Sequence, residues 1–285
     1  FANPWAIAFS NQSGAGNAYV VSSGSDLLVK LNVDAAGKLD FTVGVSTTRY
    51  IDLNDPENSD TQGRNAGKNP LGIVIRGDKA YVMNYVSRNV SVVDLNIDSV
   101  TQVIETDNLP FDGSQDEQLL VGKEIFFSSR GVFDGGKTDR LSSEGWQTCS
   151  SCHFAGLTDS NIWAFAAGPR KSVPLNGTWS PHNPDDQRLL NYSAIFDEVQ
   201  DFEINIRNVS GPGNLSAGPP PVLNPNQGLI ISDTGDINAA PAVVNAFNLP
   251  NSGRQQLTVT LPDSTTPWPA LDAMKEWVRF AVRTP

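Results

Sequence analysis

Two cysteines and a histidine lie close together in the sequence, as Cys149-Ser-Ser-Cys152-His153, and the chain has no other cysteine. Thiolates and imidazoles bind metals, and thiols also carry out redox chemistry or hold a cofactor covalently. The spacing leaves four possibilities. The stretch could be half of a zinc site, a redox-active dithiol, a structural disulfide, or the covalent anchor of a haem.

Three of these possibilities fit the residues poorly. A structural zinc site needs four ligands, usually as two separated pairs, and adjacent Cys152 and His153 would both have to bind one ion. A thioredoxin-like dithiol follows a strand within a βαβ unit, but the flanking stretches SSEGWQ and FAGLTDSN do not predict that strand. A disulfide would leave His153 without a role.

The haem hypothesis uses all three residues. In Cys-X-X-Cys-His the two thiols attach the haem covalently, at its two vinyl groups, and the next histidine ligates the iron. The two-residue spacer predicts one helical turn from Cys149 to Cys152, with His153 directly after it. The sequence therefore predicts one covalently bound haem c. Because such attachment takes place outside the cytoplasm, we expect a periplasmic or extracellular protein.

The ligand on the other side of the iron decides what such a haem does. A second strong ligand favours electron transfer, whereas an open position allows peroxide chemistry. We expect His182 to be this metal ligand, with Met274 or an open position as alternatives and Met83 and Tyr192 as weaker candidates. Arg170 is expected to pair with a haem propionate, because a guanidinium suits a carboxylate.

The N-terminal part of the chain contains an internal repeat. The stretch NPWAIAF at 3–9 is matched by NPLGIVI at 69–75, and each is followed by Ala-Tyr-Val and a second alternating strand. Apolar and polar residues alternate with period two, which is typical of half-buried antiparallel strands. Repeats of three or four short strands are typical of β-propeller blades. Two blades are too few to close a ring, so either more blades lie outside this chain or another chain completes the ring. The alternative is a β-sandwich with two similar hairpins.

Helical patterns begin after residue 110. Ser114 and Glu117 have the spacing of a capping box at a helix start, and a stripe at Leu271, Met274 and Val278 predicts a helix near the C-terminus. We therefore predict a mixed fold with two domains. Residues 1–110 form about two all-β, propeller-like blades, and residues 111–285 form a mainly α, loop-rich cytochrome c domain.

Longer stretches resemble known families. YVMN at 81–84 resembles the YVTN-type β-propeller repeat. The segment 121–161, from VGKEIFF through CSSCH, is similar to the haem domain of bacterial cytochrome c peroxidases and their methylamine-utilisation relatives, as is GPRKSVPLNGTW at 168–179. Those relatives work with two haems, and this chain has one Cys-X-X-Cys-His. The resemblance implies that further blades or a second haem domain lie outside this chain, which begins at Phe1 without an initiator methionine and is expected to be a fragment of a longer protein.

Composition limits the partners. The formal net charge is -11 and the isoelectric point ≈ 4.6, so a nucleic-acid partner is not expected, and no apolar run is long enough to predict a membrane span. The polar segment 52–68 has carboxylates and amides that suit Ca²⁺, but it lacks the EF-hand spacing, so a solvated loop is the favoured interpretation.

Two functions follow from these residues. The favoured one is electron transfer to or from a redox partner protein by an exported c-type cytochrome. The alternative is that the chain is part of a di-haem, peroxidase-like enzyme that has an open haem site or a second haem outside this chain. Whether the chain is an enzyme is left open by the sequence.

Overall fold

The computed structural model describes residues 2–40, 50–130, 141–142, 145–165, 168–188, 190–192, 196–210, 228–232 and 254–282. The chain divides into two compact units, with the boundary between Leu109 and Pro110.

The first unit contains two antiparallel sheets. Strands β1 (Pro4–Phe9), β2 (Gly16–Ser22), β3 (Leu27–Val33) and β4 (Leu39–Asp40) follow one another in sheet 1, and β5 (Tyr50–Asp52) also pairs with β3. Sheet 2 contains β6 (Pro70–Arg76), β7 (Lys79–Asn84), β8 (Asn89–Asp94) and β9 (Ser99–Glu105) in the same sequential order. Every strand of the two sheets except β5 therefore pairs with a neighbour in the sequence, as short turns require.

The period-two pattern sets the register of both sheets. In β7 the side chains of Ala80 and Val82 are buried, whereas Lys79, Tyr81 and Met83 are exposed. The two copies of the repeat also share a backbone conformation. Asn3 and Asn69, each directly before a proline, have positive φ angles of 56° and 54°, respectively. Asparagine tolerates this left-handed conformation better than most residues.

The core of the first unit lies between the two sheets. Tyr19, Val21 and Leu28 of sheet 1 pack with Ala80, Val82 and Val93 of sheet 2, and all six are 3% exposed or less. A buried ion pair joins the sheets beside this core: Lys68 Nζ lies 3.0 Å from Asp26 Oδ2, and both side chains are 1% exposed. The other oxygen of Asp26 accepts a hydrogen bond from the Asn69 backbone at 2.8 Å.

The second unit combines helices with short strand pairs. Its helices are α1 (Gln115–Phe127), α2 (Cys149–Cys152), α3 (Glu203–Asn208) and α4 (Ala270–Phe280). Its strands are β10 (Ile162–Phe165), β11 (Gly168–Lys171), β12 (Ile230–Ser232), β13 (Gln255–Gln256), β14 (Thr258–Val259) and β15 (Trp268–Pro269), which pair as β10–β11, β12–β13 and β14–β15.

Helices α1 and α4 pack closely because α1 has a glycine at their contact. A Cβ on Gly122 would lie 2.0 Å from the Ala273 carbonyl oxygen and 2.7 Å from Trp277 Cβ. The close approach brings the rings of Phe126 and Trp277 to 4.5 Å between centroids. The same packing buries Met274, which is 4% exposed.

Several local predictions are confirmed. Helix α1 begins after Ser114, whose Oγ accepts the Glu117 N–H at 3.2 Å. The Glu117 carboxylate reaches back to the N–H of Gly113, at 2.7 Å, instead of that of Ser114. The predicted C-terminal stripe is buried on α4. The sequence at 38–45 also predicts a weak strand. Its part at Leu39–Asp40 is present as β4, and residues 41–45 lie outside the described residues.

The predicted mixed fold is confirmed in part, since the secondary structure of the described residues is mostly antiparallel β-sheet, with few helices. The described part of the chain shows no closed propeller. The second unit is also less helical than predicted, because its segments between α1 and α4 include three short strand pairs and few helical residues.

The close contact of α1 with α4 yields a first prediction. Gly122→Ala should lower the free energy of unfolding by about 1–3 kcal/mol, since the added methyl group must push the helices apart. Gly177→Ala is the control, because a Cβ there has no heavy atom within 4 Å. Urea denaturation of the two variants measures the difference. Equal stability of Gly122→Ala and the parent would contradict the packing described here.

Candidate functional site

Cys149, Cys152 and His153 line one cavity in the second unit. Its volume is ≈ 650 Å³, within the range of about 300–1,000 Å³ that is usual for small-molecule and cofactor sites. Apolar side chains make up most of the wall, from α1, α4, β10 and the segment around α3, among them Phe126, Trp163, Phe202, Ile206, Met274 and Val278. The cavity therefore suits a large, mainly apolar ligand.

One helical turn presents the two thiols. Helix α2 spans Cys149–Cys152, and the His153 N–H closes the turn on the Cys149 carbonyl at 2.9 Å. The Thr148 N–H at its start donates to Ser151 Oγ at 3.0 Å. After His153 the chain turns sharply through Ala155 and Gly156, which have φ of 52° and 77°. The predicted turn is thus confirmed.

The surroundings of the thiols keep them protonated. Burial raises the pKa of Cys149 to about 12, with the charge of the neighbouring Cys152 as the second cause. Burial, followed by the charge of Asp159, raises the pKa of Cys152 to about 11. Reactive redox cysteines have a lowered pKa, because the thiolate is the nucleophile. The environment therefore disfavours a redox-active dithiol.

His153 is held by backbone carbonyls. Its Nδ1 lies 2.9 Å from the carbonyl oxygen of Val173 and 3.3 Å from that of Leu157. Because carbonyl oxygens only accept hydrogen bonds, Nδ1 carries the proton and Nε2 keeps its lone pair. Burial lowers the pKa of His153 although these hydrogen bonds act in the opposite direction. A neutral imidazole with a fixed tautomer is the state that ligates a metal.

Asp159 organises the loop that holds His153. Burial tends to raise the pKa of this carboxyl, but hydrogen bonds from Trp163, Ser172 and Asn161 hold it below its usual value. Trp163 Nε1 donates to it at 2.8 Å and Ser172 Oγ at 2.9 Å. Ser172 precedes Val173, so Asp159 positions the carbonyl that fixes the His153 tautomer.

The other predicted residues are distributed unevenly. Arg170, Met274 and Tyr192 line the cavity together with the cysteine motif. Arg170 is exposed and Nη1 donates to the adjacent Pro169 carbonyl at 3.0 Å. His182 is exposed and is not part of the cavity wall. Met83 lies in the first unit on β7, where it is 44% exposed.

Sequence reasoning missed several residues of the wall. The Phe126 ring lies 6.5 Å from the His153 ring between centroids, and Gln147 Nε2 lies 3.7 Å from Cys152 Sγ. Asp159 was not singled out either. Its position seven residues after Cys152, followed by Trp163, is a weak signal that becomes informative only when the hairpin β10–β11 brings Ser172 back to it.

Neither a metal-binding group of three or more side chains nor a membrane-spanning helix is found among the described residues. In the part of the chain that the structure describes, no group of three or more His, Cys, Asp or Glu residues could hold a metal ion. In the segment considered for Ca²⁺, Asp52 and Asp55 accept hydrogen bonds from the nearby Asn54 and Glu57 backbones, at 2.9 Å each. Over the same described residues, none of the helices has the length and hydrophobicity to cross a bilayer.

Comparison with known proteins gives little further information. No family model matches the chain, and no curated protein matches it. One similar solved structure is that of a functionally unknown protein from Desulfotomaculum acetoxidans DSM 771, with 20% sequence identity and a TM-score of 0.28. The match covers 38% of this chain and 30% of that chain, and it is too weak to support an argument.

The family membership expected from the sequence is wrong. Neither a cytochrome c peroxidase or methylamine-utilisation model nor a YVTN-repeat model matches, and the described residues contain no group of three or more side chains suited to a metal ion. The second haem domain that this resemblance implied loses its support. What Cys149, Cys152 and His153 do must follow from their own geometry.

The raised thiol pKa values yield a second prediction. In chain produced without any attached group, iodoacetamide at pH 8 should modify Cys149 and Cys152 at least about tenfold more slowly than in the urea-unfolded chain, whose thiols have a pKa of about 8.5. The rate should rise steeply above pH 10. Mass spectrometry of timed samples measures it, and fast modification of the folded chain at pH 7 would contradict the protonated state.

Proposed function

We propose that this protein is an exported c-type cytochrome that binds one haem covalently through Cys149 and Cys152 and works in electron transfer. The observation that carries the proposal is the joint position of the two thiols and the neutral His153 on the wall of one large, mainly apolar cavity. The proposal rests on this geometry and on the Cys-X-X-Cys-His spacing, and it does not depend on family membership.

The residues present fit a haem. Both sulfur atoms belong to one helical turn, so they can reach neighbouring positions on the same ligand. The apolar wall suits the flat face of a porphyrin, and Arg170 and Lys171 are exposed residues of the lining that can pair with its carboxylates. A porphyrin supplies its own nitrogen ligands to iron, so a cluster of three protein ligands is not required.

The protonated thiols suit the attachment reaction. Each thiol would add across one vinyl group: sulfur forms a bond to one carbon, the hydrogen goes to the other, and the carbon–carbon double bond becomes single. The addition balances without an oxidant or a reductant. His153 offers Nε2 as the proximal ligand, and the Val173 carbonyl keeps the ring from rotating.

Of the candidate second ligands, Met274 is the buried one in the cavity wall, and it would provide a thioether to the iron. It lies on α4 in the cavity wall and is 4% exposed, and thioether sulfur is a ligand of electron-transfer haems. That His182 binds the iron stays a prediction that the geometry does not favour, because His182 is exposed and outside the wall. Tyr192 lines the cavity but is 71% exposed.

Electron transfer is the function that these features support best. A bound haem would supply a reversible one-electron couple, and ligation by His153 and Met274 would leave no open position for peroxide. The acidic chain, with its net charge of -11, would favour a basic redox partner protein. Covalent attachment implies a periplasmic or extracellular location, and the two sheets of the first unit would be propeller-like blades.

Covalent attachment provides the third prediction. When exported by a host with a haem-attachment system, the chain should keep haem on a denaturing gel after acid–acetone extraction. Cys149→Ser with Cys152→Ser should lose that signal completely, because no thiol remains to add to the vinyl groups. Haem staining against a total-protein stain measures the ratio.

A matched control distinguishes attachment from folding. Ser150→Ala and Ser151→Ala change the same turn without changing a thiol, and these variants should retain the haem. An unmodified parent chain that is folded, exported and free of haem would overturn the proposal.

The ligand on α4 gives the fourth prediction. Oxidised parent protein should have a low-spin spectrum with the weak far-red band of sulfur–iron ligation, and Met274→Ala should abolish that band and lower the reduction potential. His182→Ala is the control and should change neither. A parent spectrum that is high-spin and reacts with peroxide, or one that changes with His182→Ala alone, would contradict ligation by Met274.

A further inference from the structure

The two sheets of the first unit have equivalent faces. We define the tyrosine face by Ala6, Tyr19, Val21 and Leu28 in sheet 1 and by Gly72, Tyr81, Met83 and Val90 in sheet 2. The alanine face is defined by Ile7, Phe9, Ala18 and Val20 in sheet 1 and by Ile73, Ile75, Ala80 and Val82 in sheet 2. The sequence repeat and the strand registers assign these equivalences.

The sheets pack through opposite faces. Tyr19 and Val21 of sheet 1 are buried against Ala80 and Val82 of sheet 2, so the tyrosine face of one sheet covers the alanine face of the next. This is a head-to-tail arrangement. Unlike a two-fold contact, which uses the same surface on both partners, a head-to-tail contact leaves one unused face of each kind.

Both unused faces expose apolar side chains. On the tyrosine face of sheet 2, Tyr81 is 37% and Met83 44% exposed, although their equivalents Tyr19 and Val21 are 1% and 0% exposed. Val74, at 64%, lies directly opposite Tyr81. Ile104, at 43%, extends this strip to β9 through its register with Val90.

The alanine face of sheet 1 is open along β1. Ile7 and Phe9 are 46% and 47% exposed, whereas the equivalent Ile73 and Ile75 of sheet 2 pack on the core between the sheets. Ala18, Val29 and Leu31 on the same face are already buried. The open part of this face therefore lies along β1. In the internal contact between the two sheets, β1 of sheet 1 likewise contacts β6 of sheet 2.

We propose that the tyrosine face of sheet 2 docks on the alanine face of sheet 1 of a second copy of this chain. The occupant follows from the molecule itself, because each exposed face is the counterpart of the one that the other sheet already binds internally. Val74, Tyr81, Met83 and Ile104 form an apolar strip on this face, and the charged residues Arg76, Lys79 and Asp94 lie at one end of it. Repetition of the contact extends the stack of sheets.

The contact between copies is weaker than the internal one. Inside the chain the Asp26–Lys68 ion pair joins the two sheets, and the two sheets are also connected covalently. At the equivalent positions the second contact would offer Arg88 and Ala2, which cannot form that pair. Association should therefore depend on concentration, with a dissociation constant on the order of micromolar or weaker.

Sedimentation velocity of the intact chain tests the proposal. The average mass should rise with concentration toward dimers and higher species. Met83→Glu, on one face, and Phe9→Glu, on the other, should each remain monomeric at concentrations at which the parent associates. Ile97→Glu is the matched control: Ile97 is 64% exposed in the turn before β9, and this variant should associate like the parent.

Mixing Met83→Glu with Phe9→Glu tests whether the contact is head-to-tail. Met83→Glu retains the face of sheet 1 and Phe9→Glu retains that of sheet 2, so their equimolar mixture should form a dimer and stop there. Val74→Lys replaces Met83→Glu if that variant does not fold, as judged by circular dichroism. A parent that is monomeric up to about 1 mM, or a mixture that remains monomeric while the parent associates, would overturn the proposal.

Discussion

The hydrogen bond between His153 Nδ1 and the Val173 carbonyl is the interaction on which the site depends. At 2.9 Å it fixes which nitrogen carries the proton, and so leaves the lone pair of Nε2 available to a ligand. The carbonyl is in turn positioned by the contact of Ser172 with Asp159. Without these hydrogen bonds the imidazole ring of His153, which follows a helix of only four residues, would rotate freely.

The sequence predicts the parts of the molecule that local rules control. The strand alternation around Tyr81 and Val92, the start of α1 after Ser114 and the turn from Cys149 to Cys152 each depend on neighbours within a few residues. Whether His182 or Met274 would ligate the iron does not depend on neighbouring residues in the sequence. Met274 lies on the cavity wall because Gly122 lets α4 approach α1, and nothing in the sequence near either residue reports that contact.

The resemblance to a known family misled the prediction for a physical reason. Short segments such as GKEIFF and a Cys-X-X-Cys-His follow from general requirements, a packed helix and a covalent anchor, so they recur without common descent. Asp159 lies in the matched stretch 121–161 but outside these two short motifs, and Trp163 lies beyond the stretch. The cavity therefore carries more weight than the resemblance.

The most direct test of the account is the mass of the peptide that contains residues 145–156. It should be recovered from proteolysis of the exported protein and measured beside the same peptide from a host without haem attachment. The peptide from the exported protein should carry the added mass of one haem, with fragmentation that assigns it to both Cys149 and Cys152. A peptide with two free thiols, or with a disulfide between them, from correctly folded exported protein would contradict covalent attachment.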